Sequence, residues 1–234
     1  MRDILALTLS GFAIGAVMMA IGGRRGAPDV RRGRWIKFGV YFVIVHTVLA
    51  VTAAGRPWIR GLVAIVVIAG AIELRGATRR MQRGSPAAVW SVYALVGGLA
   101  LVNFWRMTPV AVAYLYVVVA VYDGFSQVTG QWFGRWPLAP RISPGKTVEG
   151  VTGGLTAAYL AAMCLSGAVD AGFVGRVALG IGTALACLTG DLAASWVKRA
   201  SGIKDYSNIL PGHGGVLDRF DSFLAAATIV GAFL

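Results

Sequence analysis

Long apolar stretches alternate with short polar ones along the 234 residues of the chain. A helix needs about 20 apolar residues to cross a hydrocarbon core about 30 Å thick. The pattern therefore predicts eight membrane-spanning helices, although the fifth and eighth stretches are short and the fifth can extend through Phe133. The stretches cover residues 4–21, 35–53, 58–74, 87–105, 110–122, 151–165, 174–188 and 220–234.

Composition agrees with this reading, because 57% of the residues are hydrophobic and only 14% are charged, whereas soluble domains carry about 25% charged residues. The predicted fold class is an all-α polytopic integral membrane protein with about eight transmembrane helices. We expect one domain, 1–234, with N-terminal helices on the lipid side (1–105) and a catalytic half that carries the polar motifs (106–234). Cys164 and Cys187 lie within apolar stretches without metal-ligand spacing, which predicts small buried side chains rather than a disulfide or a zinc site.

The distribution of basic residues predicts the orientation in the membrane. The net charge is +12, and seventeen of the 22 basic residues lie in the loops after odd-numbered spans. By the positive-inside rule these loops are cytoplasmic and the N-terminus is outside the cell (inner) membrane. The positive charge is therefore explained by orientation in the membrane and not by binding to nucleic acid. Lys37, in the first basic loop, is expected to contribute to this orientation and not to catalysis. Arg24 and Arg25 outweigh Arg2, which favours a retained first helix over a cleaved signal peptide.

Ionisable groups concentrate in residues 191–221, between the last two apolar stretches. If the seventh helix continues past residue 188, Asp191, Ser195 and Lys198 share one of its faces. Asp218 and Asp221 can likewise share a face at the start of the eighth helix. Helix capping accounts for one aspartate, but several carboxylates at a membrane boundary need ion pairs or a metal. Oxygen ligands that share a site with phosphates suit Mg²⁺, and we expect a polar cavity at the cytoplasmic side.

Both histidines and one glutamate have two possible interpretations. His213 lies between Gly212 and Gly214, where glycines expose backbone N–H groups and let a phosphate approach. A phosphate or metal-shell role is preferred to a structural turn, because the segment also holds PGHGG and DRFD. His46, inside the second stretch, is expected to bond to a neighbouring helix rather than relay protons. Glu73, at the end of the third stretch, is expected to reach the interface, and a place in the active cavity is the less favoured alternative.

The fifth loop is the second polar concentration, from Asp123 to the sequence Ser143-Pro-Gly-Lys146-Thr147. Its GKT resembles a Walker A loop, but that motif requires a glycine where Pro140 stands, so this reading is rejected. Lys146 and Thr147 can instead hold an anion near a helix N-terminus. The alternative for this loop taken alone is a solvated interfacial turn.

The segment SWVKRASGIKDYSNILPGHGGVLDRFD, residues 195–221, resembles the signature of the phosphatidate cytidylyltransferase (CDP-diacylglycerol synthase) family. The segment ISPGKTVEG, residues 142–150, resembles the second conserved segment of that family. The resemblance covers the C-terminal half of the chain. It implies that CTP and phosphatidate react at the cytoplasmic membrane face, with a divalent metal, to give CDP-diacylglycerol and pyrophosphate.

The resemblance and the spacing together assign the candidate residues. Metal ligands for Mg²⁺, with two ions as an option, are expected at Asp191, Asp218 and Asp221. Catalytic contacts to phosphates are expected from Lys198, Arg199, Lys204, His213 and Arg219. Substrate-binding positions are expected at Asp123, Ser143, Lys146, Thr147, Ser195, Gly214 and Gly215.

Departures from the family pattern leave alternatives open. They fall at Gly124, Ser126, Gln127, Gln131 and Gly145. Fewer cations either weaken the phosphate clamp or mark a paralogue that accepts another lipid phosphate. The enzymatic alternative to phosphatidate is therefore a prenyl-type or other phospholipid as the substrate of a related CTP-dependent enzyme. A transporter with charges along its pathway and an inactive paralogue that serves as a binding subunit are the non-catalytic alternatives. A homodimer that pairs through exposed helix faces is a further expectation.

Overall fold

A computed structural model describes residues 1–22, 28–210, 212 and 214–234, and within them the chain forms eight α-helices and one β-hairpin. The helices are α1 (Arg2–Gly22), α2 (Pro28–Ala54), α3 (Arg56–Thr78), α4 (Pro86–Arg106), α5 (Pro109–Phe133), α6 (Val148–Cys164), α7 (Phe173–Ala200) and α8 (Leu217–Ile229). Single 3-10 turns follow α6 at Ser166–Ala168 and α8 at Gly231–Phe233.

Each predicted apolar stretch lies mainly in one of these helices, so the prediction of an all-α membrane protein is confirmed. Within the described residues, five helical segments are long and apolar enough to cross a membrane. They are Arg31–Ala54, Arg56–Thr78, Pro86–Arg106, Pro109–Phe133 and Phe173–Ala200. The 13 residues of α8 extend only about 20 Å at 1.5 Å per residue, because the chain turns into a 3-10 helix where the sequence predicted a continuing span. Eight complete crossings therefore stay a prediction.

Helix α5 forms the centre of the fold. It packs against α2, α6, α7 and α8, and its residues 111–119 are all buried, as expected for a helix that is apolar on every side. It continues through Phe133, which confirms the predicted extension of the fifth stretch. Contact with α6 is close, because a Cβ atom at Gly154 would lie 2.9 Å from the carbonyl oxygen of Tyr122.

Polar side chains join helices of the two halves of the chain. The buried Asn103 amide of α4 donates to the carbonyl oxygen of Ala227 in α8 at 2.8 Å. The Thr228 hydroxyl of α8 donates to the carbonyl oxygen of Val96 in α4 at 2.9 Å. These bonds fix the N-terminal helix α4 against α8, whose first turn carries part of the candidate site.

Two local expectations are corrected. Both cysteines are free and Cys187 is buried, but Cys164, at the end of α6, is exposed. Nδ1 of His46 lies 2.9 Å from the carbonyl oxygen of Phe42, one turn earlier in the same helix, rather than bonding to a neighbouring helix. The His46 ring also stacks on the Phe42 ring, with centroids 4.0 Å apart.

The fifth loop contains the hairpin, which the sequence did not predict. Strand β1 (Pro137–Ala139) pairs antiparallel with β2 (Ser143–Thr147), with Pro137 opposite Thr147 and Ala139 opposite Ser143. Proline-rich strands of this length lack the apolar alternation by which a hairpin is recognised. The hairpin leads directly into α6, so Lys146 is held one residue before the helix cap.

Candidate active site

The two polar segments meet at an ion pair. Nζ of Lys146, in β2, lies 2.6 Å from Oδ2 of Asp191, and their side chains are 15% and 31% exposed. Helix α7 continues through Ala200, and the Ser195 hydroxyl donates to Oδ1 of Asp191 at 3.3 Å. Asp191 and Ser195 therefore share one face, as the spacing predicted.

Carboxylates from three helices cluster at this pair, and one of them is that of Asp191 itself. Asp123 of α5, Asp191 of α7 and Asp221 of α8 lie close enough to repel one another. Lys146 and Arg219 attract the Asp123 carboxylate. Each of the three aspartates is partly exposed.

Asp218 forms a second, deeper ion pair. Nζ of Lys198 lies 2.7 Å from Oδ1 of Asp218, and the two side chains are 11% and 2% exposed. Oδ2 of Asp218 accepts hydrogen bonds from the backbone N–H of Tyr206 at 2.8 Å and of Gly215 at 2.9 Å. Protein donors thus occupy both oxygens of Asp218, and the residue anchors the loop between α7 and α8.

The glycines of this loop let carboxylates approach the backbone. Gly214 has φ +79°, and a Cβ atom there would lie 2.7 Å from Oδ2 of Asp218. A Cβ atom at Gly215 would collide with the carboxylate of Glu73. We expected Gly214 and Gly215 to be substrate-binding positions, but the N–H of Gly215 is already used by Asp218. His213 lies outside the described residues.

The basic residues divide into different environments. Arg199 is exposed; its Nε donates to the carbonyl oxygen of Ile142 at 3.3 Å and its Nη1 to that of Ile203 at 3.1 Å, so it ties the hairpin to the end of α7. Lys204 and Arg219 are exposed, whereas Lys198 is buried. Among the predicted cations, Lys146 and Lys198 form ion pairs with Asp191 and Asp218, and Arg219 lies close enough to Asp123 to attract its carboxylate.

A polar cavity of about 180 Å³ opens beside Lys146. Its described lining consists of Tyr122, Asp123, Ser126, Gln127, Gly145, Lys146 and Thr147. The Thr147 oxygen accepts the backbone N–H of Gly150 at 3.1 Å and so caps α6, while Ser143 begins β2 and is only partly buried. Ligand pockets usually measure about 300–1,000 Å³, so this cavity suits a phosphate or another part of a nucleotide.

The donor set fits a hard cation without forming a complete cage. Within the described residues, no group of three or more His, Cys, Asp or Glu is arranged to hold a metal ion. Mg²⁺ is usually held by one or two carboxylates together with waters and substrate phosphates. Each oxygen of Asp191 carries a single protein donor, so lone pairs stay free. The buried Asp218 is the least suitable of the three predicted ligands.

Three residues near this site were not assigned to it from the sequence. Glu73 of α3 is only 7% exposed and bonds to the loop between α7 and α8 instead of reaching the interface. Lys37 lies within α2, and a Cβ atom at Gly212 would be 3.0 Å from its Cγ, so its stem packs on that loop. The sequence contained one indication of such a role, for Glu73 alone, because an ionisable residue within an apolar stretch is often functional.

Tyr206 is the third such residue. Its hydroxyl donates to the carbonyl oxygen of Ala194 at 3.2 Å. Burial, followed by the nearby carboxylates of Asp221, Asp218 and Glu73, raises the pKa of Tyr206 well above its usual value. The phenol therefore stays protonated at neutral pH and ties the loop to α7.

Comparison with known proteins gives a consistent result. The sequence model of the Cytidylyltransferase family matches residues 26–234. The chain is 36% identical over 199 residues to a phosphatidate cytidylyltransferase of Helicobacter pylori, covering 84% of this chain and 73% of that protein. Proteins of the same name from Haemophilus influenzae and Pseudomonas aeruginosa are 41% and 45% identical over 128 and 140 residues. These two matches cover 51% and 58% of this chain and only 44% and 52% of the relatives.

Proposed function

The chain belongs to the Cytidylyltransferase family, and we propose that it transfers the cytidylyl group of CTP to the phosphate of phosphatidate, giving CDP-diacylglycerol and pyrophosphate. The observation that carries this proposal is the ion pair between Lys146 and Asp191. It joins the two polar segments into one cluster of carboxylates and cations beside a cavity of phosphate size. Relatives named phosphatidate cytidylyltransferase supply the choice of substrates.

In the proposed reaction an oxygen of the lipid phosphate attacks the α-phosphorus of CTP. A new bond forms between that oxygen and the α-phosphorus, and the bond from the α-phosphorus to the oxygen bridging to the β-phosphorus breaks. Pyrophosphate leaves with the electron pair. Both reactants are anions, so their approach depends on fixed positive charge at the site. No side chain has to act as the nucleophile, because the lipid phosphate is already ionised.

The cations of the chain divide this work by position. Lys146 lines the cavity, so its ammonium can contact a phosphate bound there. Arg219, exposed at the first turn of α8, can reach phosphates from the solvent side. Lys198 is buried and paired with Asp218, and its charge also attracts the Asp221 carboxylate, so it is held in place and costs little reorganisation when a phosphate binds. Arg199 is assigned to holding the hairpin, and Lys204 to the exposed rim.

Divalent metal is part of the proposal, with Asp191 and Asp221 as the residues that would hold it and Asp123 beside them. When bound, Mg²⁺ supplies charge neutralisation and orientation for the reacting phosphate oxygens. Ser195 orients Asp191 through its hydroxyl. Asp218, which the spacing favoured as a ligand, is assigned instead to the loop.

The membrane setting completes the proposal. The protein lies in the cell (inner) membrane with its N-terminus outside, and the site is at the cytoplasmic side, where CTP is available. The basic residues after odd-numbered spans support this orientation. An apolar groove of about 520 Å³ between α5 and α6 offers a surface for lipid. Eight crossings and pairing of two copies through exposed helix faces stay predictions.

A second candidate is transfer to another lipid phosphate, such as a prenyl-type phosphate. It is favoured by one observation: three of the positions that depart from the family pattern, Ser126, Gln127 and Gly145, line the polar cavity. The reaction and the cation roles would be the same, and only the lipid substrate would differ.

The test uses purified protein in detergent with radiolabelled CTP, Mg²⁺ and phosphatidate, and follows label into the lipid phase. We expect labelled lipid that disappears with EDTA and in Asp191→Asn but persists in Asp170→Asn, an exposed carboxylate in the connection before α7. Label with a prenyl phosphate and none with phosphatidate would change the substrate. Absence of label with every lipid phosphate would refute the proposed transfer.

A further inference from the structure

We propose that Glu73 of α3 is a positioning residue that holds the loop between α7 and α8 in the form that binds the nucleotide. This inference rests on the proposed function for the identity of the nucleotide. It assigns to the N-terminal half of the chain a part in the site, where the sequence favoured lipid-side helices and kept an active-cavity position for Glu73 only as the less favoured alternative. Glu73 is not in the described lining of the cavity, so it acts through the loop.

The carboxylate of Glu73 accepts three hydrogen bonds from this loop. The Ser207 hydroxyl donates to Oε1 at 2.6 Å, and the backbone N–H of Val216 donates to the same oxygen at 3.0 Å. The backbone N–H of Leu217 donates to Oε2 at 2.8 Å. With 7% of its surface exposed, Glu73 has little access to water that could replace these donors.

These bonds satisfy the N-terminus of α8. The first N–H groups of a helix have no partner within it, and the side chain at the N-cap, Val216, supplies no cap. A carboxylate at this position also interacts favourably with the positive end of the helix dipole. Glu73, 143 positions away in the chain from Val216, therefore provides the cap that the local sequence lacks.

The capped first turn of α8 contains residues of the candidate site. Asp218, Arg219 and Asp221 all lie in the first five residues of α8, so the position of that N-terminus sets where they stand relative to Asp191. Asp218 holds the loop at Tyr206 and Gly215, and Glu73 holds it at Ser207, Val216 and Leu217. A close fit at Gly215, where a Cβ atom would collide with the Glu73 carboxylate, shows how little room the arrangement leaves.

The first experiment measures KM for CTP and kcat for wild type and Glu73→Gln. The amide keeps the shape but places an NH₂ group where a backbone N–H needs an acceptor. The loop then adopts its CTP-binding conformation in only a fraction of the molecules, and the apparent affinity for CTP falls in proportion to that fraction. We expect KM for CTP to rise on the order of tenfold to a hundredfold, with kcat recovered at saturating CTP and KM for phosphatidate unchanged. A fall in kcat alone, with KM for CTP unchanged, would show a merely structural role and overturn the proposal.

Ser207→Ala is a milder second variant, since it removes one donor and leaves both backbone bonds. It should raise KM for CTP in the same direction by about fivefold, and it keeps the proposal testable if Glu73→Gln does not fold. Asp170→Asn, with its exposed carboxylate, should match wild type. An unchanged KM for CTP in both Glu73→Gln and Ser207→Ala would overturn the proposal.

Hydrogen exchange without substrate separates this inference from the proposed function. In detergent-solubilised Glu73→Gln, the amides of Val216 and Leu217 should exchange at least about tenfold faster than in wild type, while those of buried α5 should not change. Wild type that produces no labelled lipid would refute the proposed function alone. Unchanged exchange at Val216 and Leu217 would overturn the role of Glu73 whatever the substrate.

Discussion

The substitution Asp218→Asn tests whether Asp218 is a structural anchor or a metal ligand. The substitution removes the negative charge that pairs with Lys198. In the structure Nζ of Lys198 lies 2.7 Å from Oδ1 of Asp218, and the Lys198 and Asp218 side chains are 11% and 2% exposed. It also weakens the acceptor for the N–H groups of Tyr206 and Gly215. An anchor should lose stability, whereas a solvent-accessible ligand should lose only turnover.

The magnitude follows from burial. Removing one partner of a buried ion pair leaves the other charge uncompensated and costs about 3–5 kcal/mol. Folded proteins are stable by about 5–15 kcal/mol in total. For a chain of this size such a loss corresponds to a fall in the unfolding temperature on the order of 10 °C.

The assay follows unfolding through Cys187, which is fully buried between α7 and α8. A thiol-reactive dye in detergent reports its exposure on heating, in a Cys164→Ala background because Cys164 is exposed. Asp170→Asn should unfold with wild type. The double substitution Lys198→Met with Asp218→Asn removes both charges and keeps an amide oxygen as acceptor for the loop N–H groups, so it should recover part of the stability lost in Asp218→Asn alone.

Two results would refute this reasoning. If Asp218→Asn unfolded at the wild-type temperature while turnover disappeared, Asp218 would be a ligand and not an anchor. If the double substitution were as unstable as Asp218→Asn with Lys198 intact, the unpaired ammonium would not be the cause.

Two further predictions concern cations. Lys146→Met should change the free energy of unfolding by no more than about 1 kcal/mol, because the pair of Lys146 with Asp191 is partly exposed. It should nevertheless lower turnover about a hundredfold to a thousandfold. A large fall in unfolding temperature with normal turnover would contradict the assignment of Lys146 to phosphate binding. Lys37→Ala should raise KM for CTP by up to about tenfold, since its stem packs on Gly212. Initial rates over a range of CTP concentrations measure this effect, and an unchanged KM would return Lys37 to a role in orientation alone.

The sequence alone determined the helical framework, because a run of apolar residues long enough to cross a membrane has to satisfy its backbone groups within itself. It also predicted the shared face of Asp191 and Ser195, since positions four apart in one helix are neighbours whatever surrounds them. The two polar segments stood out for the same local reason: ionisable groups at a membrane boundary are costly and few. Hairpin β1–β2 was missed, because its short proline-rich strands carry no alternating pattern.

Only the tertiary structure decided which partner each polar group has. Asp218 resembled a metal ligand by spacing, but the packing of α8 on α7 gives its oxygens to Lys198 and to loop N–H groups. From the sequence, Glu73 was expected to reach the membrane interface. In the structure α3 lies beside the start of α8, and Glu73 caps that helix. Lys146 meets Asp191 because the hairpin is folded against α7. Glu73 and Lys146 lie far in the chain from the groups they contact, and the hydropathy pattern that specifies each helix contains no information on how the helices are arranged around one another.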